Sequence, residues 1–149
     1  MCIRDRDYLI IDLPPGTGDV QLSLVQNVPL TGVVIVTTPQ EMALTDARRA
    51  MGMFSMEAVN KKILGVVENM SYFTPEDAPE KKYRLFGEGG GKALSEEYGV
   101  PFLGELPLNP ALMKRIDEGC LSSDSIELNP YFQVAGALAQ QVSMLQIAK

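Results

Sequence analysis

The sequence predicts an α/β fold, namely a three-layer, doubly wound and mainly parallel sheet. Near-continuous apolar runs of β-branched residues recur along the chain, and such runs are typical of strands buried on both faces. Segments with helical apolar periodicity separate these runs. Proline, glycine and asparagine stand where those segments begin or end. Alternation of strands and helices in this manner indicates a doubly wound sheet.

Four strands are predicted. Residues 8–13 (YLIIDL) and 32–37 (GVVIVT) are the clearest runs. Residues 63–67 and 102–106 follow the same pattern. The carboxyl ends of these strands should share one edge of the sheet, where ligands bind in folds of this class.

The clearest helix lies between the second and third predicted strands. Thr38 is expected to cap it, Pro39 to occupy its first position, and Glu41 to supply a carboxylate to its first turn. Its apolar stripe is predicted to consist of Leu44, Ala47, Met51, Phe54 and Ala58.

Four further helices are predicted, at residues 19–27, 90–98, 110–118 and 130–147. Gly99 should end the helix at 90–98. Asn109 followed by Pro110 should begin the helix at 110–118, and Gly119 should end it. The final helix is expected to bury Phe132, Ala135, Ala139 and Val142.

The composition bounds the function. A chain of 149 residues suffices for one domain, and a net charge of −6 without a basic cluster argues against nucleic acid as a partner. No apolar run is long enough for a membrane helix, so no membrane association is expected. Two cysteines and no histidine exclude a disulfide framework, a self-contained zinc site and histidine acid–base chemistry. The few thiols fit a cytoplasmic location.

The candidate ligand-binding residues are concentrated in the segment DYLIIDLPPGTGD at residues 7–19. Asp12 lies near the end of the first predicted strand, where its carboxylate could hold Mg²⁺ through a water molecule. Gly16 would let a backbone N–H approach a terminal phosphate. Alternatively, Asp12 only caps a turn and the glycines only reverse the chain. The complete string after an apolar strand favours a nucleotide site.

This segment is followed in order by VVIVTTPQEMALTDARRAM, GVVENMSYF, LFGEGGGKAL and GVPFLGELPLNP. The series resembles the C-terminal portion of the Mrp (ApbC-like) family. These are P-loop ATPases of the MinD/ParA-like class that carry iron–sulfur clusters. The resemblance implies a P-loop NTPase fold that lacks its N-terminal strand and P-loop. It also implies a fragment of an ATP-hydrolysing iron–sulfur cluster carrier, which would be a homodimer with Fe–S apoproteins as clients.

The resemblance assigns roles to five positions. Asp12 would be the magnesium-associated carboxylate, and Gly16 would sense the γ-phosphate. Asn69 would hydrogen-bond the adenine edge, and Pro107 and Asn109 would lie in the turn that borders the base. The implied cofactors are ATP, Mg²⁺ and a 4Fe–4S cluster.

Two departures from the family pattern affect these expectations. The chain has no Walker A loop, since the run at residues 87–92 (GEGGGK) fails that motif. ATP binding and hydrolysis by the chain alone should therefore be weak or absent. Residues 74–80 (TPEDAPE) replace the C-x-x-C pair of many members, so no iron–sulfur ligand is identified.

Residues 1–6 (MCIRDR) do not continue the family pattern and are expected to be a non-native leader. Residues 7–149 would then form the C-terminal part of a single NTPase domain. In the resembled fold the P-loop strand lies beside residues 8–13, so its absence should expose an apolar edge and promote association.

Two other functions are possible from the sequence. One is a nucleotide-switched positioning ATPase of the MinD/ParA kind, although the final helix carries only Lys149 as a basic residue. The other is a scaffold module that has lost ATPase activity and keeps a dimerisation surface.

Overall fold

A computed structural model describes residues 7–14, 16, 18–120 and 128–147 of the chain. The described residues form five helices and three strands. In chain order these are α1 (Asp19–Asn27), β1 (Val33–Thr37), α2 (Glu41–Ser55), β2 (Ile63–Phe73), α3 (Gly90–Tyr98), β3 (Phe102–Leu108), α4 (Pro110–Asp117) and α5 (Asn129–Ile147). The predicted alternation of helices and strands is confirmed.

The sheet is parallel and has the order β1-β2-β3. The β1 strand pairs with β2 from Val33 opposite Ile63 to Thr37 opposite Glu68. The β2 strand pairs with β3 from Val66 opposite Phe102 to Phe73 opposite Leu108. All three strands therefore end at one edge of the sheet, as the doubly wound prediction requires.

Helices cover both faces of this sheet. Glu68 of β2 faces Gly91 of α3, whereas Gly104 of β3 faces Val134 of α5. Since Gly104 pairs with Val67, the neighbour of Glu68, the two contacts lie on opposite faces. The α2 helix packs on β1 and against α3, so the molecule has the three predicted layers.

The main core lies between the sheet and α2. The α2 side chains Leu44, Ala47, Met51 and Phe54 are buried against Val33 and Ile35 of β1, as the stripe predicts. Burial of one such side chain is worth about 2–3 kcal/mol. Ala58 lies beyond the end of α2 and is exposed, so its place in the predicted stripe is wrong.

The start of α2 also differs from the prediction. The helix begins at Glu41 with Gln40 at the capping position, and no side chain caps it. The Thr38 hydroxyl instead donates to the Gln40 side-chain oxygen at 2.9 Å. Thr38 and Pro39 thus belong to the connection after β1.

The strand predicted at residues 8–13 is wrong, since the structure assigns this segment to no strand. Leu9 and Ile10 are 76% and 82% exposed. A β-strand needs a neighbour for its N–H and C=O groups, and β1, at the edge of the described sheet, is paired only with β2. The segment has the apolar pattern of a strand, but no described strand lies beside it.

The apolar face of α5 is rotated from the predicted one. Phe132 and Ala135 are exposed, while Ala139 and Val142 are half-buried. Val134 contacts β3 because Gly104 leaves room there: a Cβ on Gly104 would lie 2.9 Å from Val134 Cγ2. The glycine in the strand therefore determines which side of α5 faces the sheet.

Candidate functional site

A bulge interrupts β2 at the carboxyl edge of the sheet. Glu68 pairs with Glu105 and the next paired residues are Tyr72 and Pro107, so residues 69–71 stand opposite a single residue of β3. Met70 adopts a left-handed backbone conformation with φ of 54°, which is uncommon for a residue with a side chain. Bulges of this kind redirect side chains and are frequent beside functional sites.

Asn69 is the first residue of this bulge and is half-buried. Its side-chain oxygen accepts a hydrogen bond from Met70 N at 2.9 Å. The amide group therefore has one local bond, and its N–H₂ group and a second oxygen lone pair could serve a ligand. A donor–acceptor pair of this type matches the edge of a nucleobase.

The turn after β3 borders a cleft of about 680 Å³ beside the bulge. Pro107 lies within β3 and not in the predicted turn, because it pairs with Tyr72. It lines the cleft together with Asn109 and with residues that include Tyr72, Phe73 and Pro130. Asn109 also caps α4, since its side-chain oxygen accepts from Leu112 N at 3.0 Å. Its amide nitrogen is then the donor that this side chain could offer to a ligand. Asn69 does not line this cleft, although Pro107 and Asn109 do.

The segment with Asp12 and Gly16 lies in the approach to α1. Asp12 and Gly16 are both exposed, and Gly16 has a φ of 95°, which favours glycine. The Gln21 side chain of α1 donates to the carbonyl of Pro14 at 2.9 Å, and Leu13 packs against the core. Among the described residues, these contacts attach the segment to α1 and to the core.

The glycine-rich run at 87–91 packs closely against neighbouring segments. A Cβ on Gly90 would lie 2.6 Å from Leu44 Cδ1 and 3.1 Å from the Pro39 carbonyl oxygen. A Cβ on Gly91 would lie 2.9 Å from Glu68 Cβ. The run therefore fits closely against the connection after β1 and against β2.

Glu68 is a residue of this region that the sequence reasoning missed. It is completely buried, and its carboxylate accepts from Gly91 N at 2.6 Å and from the Ser71 hydroxyl at 2.8 Å. The signal that could have found it is a single acidic residue directly after the apolar run ILGVV. Buried carboxylates are rare unless hydrogen-bonded.

Charged side chains connect β3 with the approach to α3. Arg84 contacts Glu105 at 3.3 Å and Glu88 at 3.1 Å. The hydrogen bond with Glu105 raises the pKa of Arg84, with smaller contributions from the charges of Glu105, Glu88 and Glu68, while desolvation opposes the rise. Burial raises the pKa of Tyr72, and the nearby Glu105 charge adds to this.

Metal-binding clusters and membrane-spanning helices are not found in the part of the chain that the structure describes. No three Cys, Asp or Glu side chains there are grouped so that they could hold a metal ion. Within the same residues, every helix is too short or too polar to cross a bilayer. The described cysteine, Cys120, is exposed and its Sγ lies 3.4 Å from the Glu118 carbonyl oxygen.

Comparison with known proteins gives consistent relatives over almost the whole chain. A family profile described as "ParA: NUBPL iron-transfer P-loop NTPase" matches residues 2–143. Proteins named "Iron-sulfur cluster carrier protein" are similar in sequence. The one from Synechocystis is 49% identical over 93% of this chain and 40% of its own length. The one from Deinococcus radiodurans is 49% identical over 97% of this chain and 41% of its own length.

Solved structures share the fold. A nucleotide-binding protein from Archaeoglobus fulgidus in complex with ADP is 39% identical with a TM-score of 0.70, over 81% of this chain and 49% of its own. The cell division ATPase MinD of Pyrococcus furiosus has a TM-score of 0.62 at 21% identity, over 91% of this chain and 53% of its own. The second likeness shows the fold alone. The chain spans about two fifths of the length of the curated relatives that it matches.

Proposed function

Since this chain belongs to the ParA family of NUBPL iron-transfer P-loop NTPases, we propose that the intact protein binds and hydrolyses ATP and carries iron–sulfur clusters to apoproteins. Its relatives are named iron–sulfur cluster carrier proteins, which supports an iron–sulfur cluster as the cargo. The ADP complex of a relative that is 39% identical supports nucleotide binding. A homodimer in the cytoplasm is part of the same proposal.

The observation that carries the proposal is the bulge in β2. It places the Asn69 amide at the carboxyl edge of a parallel sheet, between Glu68 and Tyr72, whose partners in β3 are Glu105 and Pro107. Ligands of doubly wound folds bind at that edge. In the proposed site Asn69 donates to a ring nitrogen of adenine, and Pro107 and Asn109 border the base.

Asp12 and Gly16 would act at the phosphate end. The exposed Asp12 carboxylate fits water-mediated contact with Mg²⁺, which keeps most of its hydration shell. Bound Mg²⁺ would neutralise charge on the phosphates. The Gly16 N–H would donate to a γ-phosphate oxygen, and a Cβ added at Gly16 would meet no described atom within 4 Å, so there is room for a phosphate beside it.

The iron–sulfur cluster is cargo in this proposal, and the described residues do not offer it a ligand set. Residues 74–80 supply no thiolate, and Cys120 is a single exposed cysteine. Three or four thiolates from one or two chains are the usual requirement. We therefore assign cluster binding to no residue of this chain.

A titration with ATP tests whether these residues bind the base but not the phosphates of the nucleotide. The 149-residue chain has no Walker A lysine, so ATP and adenosine should bind it with similar affinities, about millimolar or weaker. Isothermal calorimetry measures both. Micromolar affinity for ATP together with weak adenosine binding would contradict the assignment, because it would require a phosphate cradle within these residues.

Substitution of Asp12 in the intact protein tests the magnesium role. Asp12→Asn should lower ATP hydrolysis by about a hundredfold while ATP binding changes by less than about threefold, because the lost charge acts mainly on the transition state. Asp19→Asn, an exposed carboxylate in the first turn of α1, is the matched control. Equal losses in both variants would argue against a specific role for Asp12.

Cluster transfer separates the carrier from the two other functions. Protein loaded anaerobically with iron and sulfide should transfer a cluster to an apoprotein acceptor, followed by its visible absorbance. ATP hydrolysis without any cluster loading would favour a positioning ATPase. Neither activity would favour a scaffold module.

A further inference from the structure

Glu68 holds together two segments that are far apart in the sequence. Its Oε1 accepts from the Ser71 hydroxyl at 2.8 Å, within the bulge of β2. Its Oε2 accepts from Gly91 N at 2.6 Å, in the first turn of α3. The carboxylate itself has no exposed surface. Both oxygens thus accept hydrogen bonds inside the protein, and one of the first-turn N–H groups of α3 is satisfied by Glu68.

The Ser71 side fixes the shape of the bulge. The Ser71 hydroxyl also lies 2.9 Å from the Glu68 carbonyl oxygen, so it is in contact with both the main chain and the side chain of Glu68. Ser71 is fully buried. Between these two residues lie Asn69 and the left-handed Met70. A strained conformation of this kind persists only where its surroundings hold it, and the Glu68–Ser71 contacts are what hold it here.

The Gly91 side fixes the position of the glycine-rich loop. The loop packs on the connection after β1, since a Cβ on Gly87 would lie 3.4 Å from the Pro39 carbonyl oxygen. Gly91 N–H is one of the helix N-terminal donors that have no partner within α3. A side chain larger than glycine at position 91 would push against Glu68. Glu68 therefore contacts both this loop and the bulge.

We propose that Glu68 is a positioning residue that orients the Asn69 amide and couples it to the glycine-rich loop at 87–91. The role of Asn69 toward the base rests on the proposed function. Its orientation is argued from the Glu68–Ser71 hydrogen bond, which closes the bulge, and from the Asn69–Met70 hydrogen bond inside it. In this arrangement, movement of the loop changes the angle at which Asn69 meets a ligand.

Removal of the Ser71 hydroxyl tests the coupling in the 149-residue chain. Ser71→Ala should broaden or shift the Asn69 side-chain amide signals in proton–nitrogen correlation NMR. It should also speed hydrogen exchange at Gly91 N by about tenfold, since the carboxylate loses one of its two anchors. Unchanged signals at both positions in a folded Ser71→Ala chain would overturn the proposal.

Ser95→Ala is the matched control. Ser95 is also buried, and its hydroxyl donates to the Lys92 carbonyl within α3, with no bond to Glu68. Its loss should change stability to a similar degree and leave the Asn69 amide signals in place. If Ser95→Ala alters Asn69 as strongly as Ser71→Ala does, the effect is general loosening and the proposal fails.

Two variants of Glu68 provide a second test, which does not depend on the folding of Ser71→Ala. Glu68→Gln keeps the shape, because its oxygen can accept from Gly91 N and its amide can donate to the Ser71 oxygen. It should preserve the Asn69 signals. Glu68→Leu removes both bonds and should abolish the ordered Asn69 signals. Identical Asn69 spectra for Gln and Leu would overturn the proposal.

An adenosine titration of the same samples distinguishes this inference from the proposed function. Adenosine should shift the Asn69 amide signals in the wild-type chain and in Ser95→Ala, and shift them less in Ser71→Ala. If adenosine shifts none of them, the base-contact role of Asn69 fails. The orientation of Asn69 by Glu68 is then decided by the spectra without ligand.

Discussion

Single residues in this protein matter most where backbone and side chain approach closely. Gly91 has room for no side chain because Glu68 lies against it, whereas a Cβ added to Gly52, on the exposed side of α2, would meet nothing within 4 Å. The two glycines therefore serve different purposes. One is required by packing, and the other only loosens a helix.

Alanine substitutions at these two positions should change stability in opposite directions. Gly52→Ala should raise the free energy of unfolding by about 0.5–1 kcal/mol through higher helix propensity. Gly91→Ala should lower it by about 1–3 kcal/mol, since the new Cβ meets Glu68 at 2.9 Å. Urea denaturation measures both. Stabilisation by Gly91→Ala would show that β2 can move away at little cost.

Ionisation of Tyr72 makes the free energy of unfolding depend on pH in the alkaline range. Its pKa is raised above the ordinary value of 10.0, first by burial and then by the Glu105 charge. The pKa of Tyr131 is also raised, by burial and then by Tyr72. A raised pKa in the folded state contributes stability that is complete below pH 10.0 and is lost as the pH rises through the folded value.

The free energy of unfolding should therefore fall above pH 10, and Tyr72→Phe should make that fall shallower. With five tyrosines and no tryptophan in the chain, near-ultraviolet absorbance follows the titration directly. Denaturation curves at several alkaline pH values give the slope. Identical slopes for the wild-type and Tyr72→Phe chains would contradict the argument.

At the scale of elements, the two long apolar segments at the ends of the chain behave differently from their patterns. The five helices and three strands follow mainly from apolar periodicity, which is a local property, and the Asn109 cap of α4 adds to it. The segment 8–13 has the pattern of a strand but no described neighbour to pair with, and pairing is a property of the fold that no local pattern contains. The orientation of α5 depends on Gly104, about 30 residues earlier in the chain.

The candidate site also combines features that the local sequence predicts with features that depend on distant residues. Asp12, Gly16 and Asn69 stand in recognisable strings, so the sequence suffices to propose their roles. The capping bond of Asn109 follows from its place before Pro110. The burial of Glu68 and its bond to Gly91 join residues 23 positions apart, and a single sequence does not show such a contact.

Substitutions on α5 should reveal which face holds the sheet. Val134→Ala should lower the free energy of unfolding by about 1 kcal/mol, because Val134 fills the space above Gly104. Phe132→Ala, which removes more atoms from a residue that is 53% exposed, should change it by less than about 0.5 kcal/mol. Thermal melts compare them. A larger loss from Phe132→Ala would restore the face predicted from periodicity.

For the whole molecule, β1 is an edge strand of the described sheet, with one side unpaired among the described residues. Val36 on this strand is 62% exposed, and the apolar residues of segment 8–13 are also exposed. An unpaired apolar edge favours pairing with another chain. The 149-residue chain should therefore associate at micromolar concentrations.

A lysine on the edge strand should reduce this association. Val36→Lys is expected to shift the chain toward monomer in analytical ultracentrifugation, since charge on an edge strand opposes pairing. Met42→Lys, an equally apolar-to-charged change at an exposed position of α2, is the control and should have little effect. A wild-type chain that is monomeric at all concentrations would contradict the expectation.

The loop at residues 74–82 is closed by main-chain hydrogen bonds at its two ends, and this affects which changes the loop can accept. Phe73 and Tyr83 exchange two backbone hydrogen bonds of 2.8 Å, and turns at Pro75 and Ala78 fold the stretch between them. The ends of the loop are thus held by main-chain atoms, which do not depend on the loop's own side chains. Changes in its composition and length are therefore expected to leave the sheet unaltered. A peptide tag inserted after Asp77 should accordingly leave the fold intact.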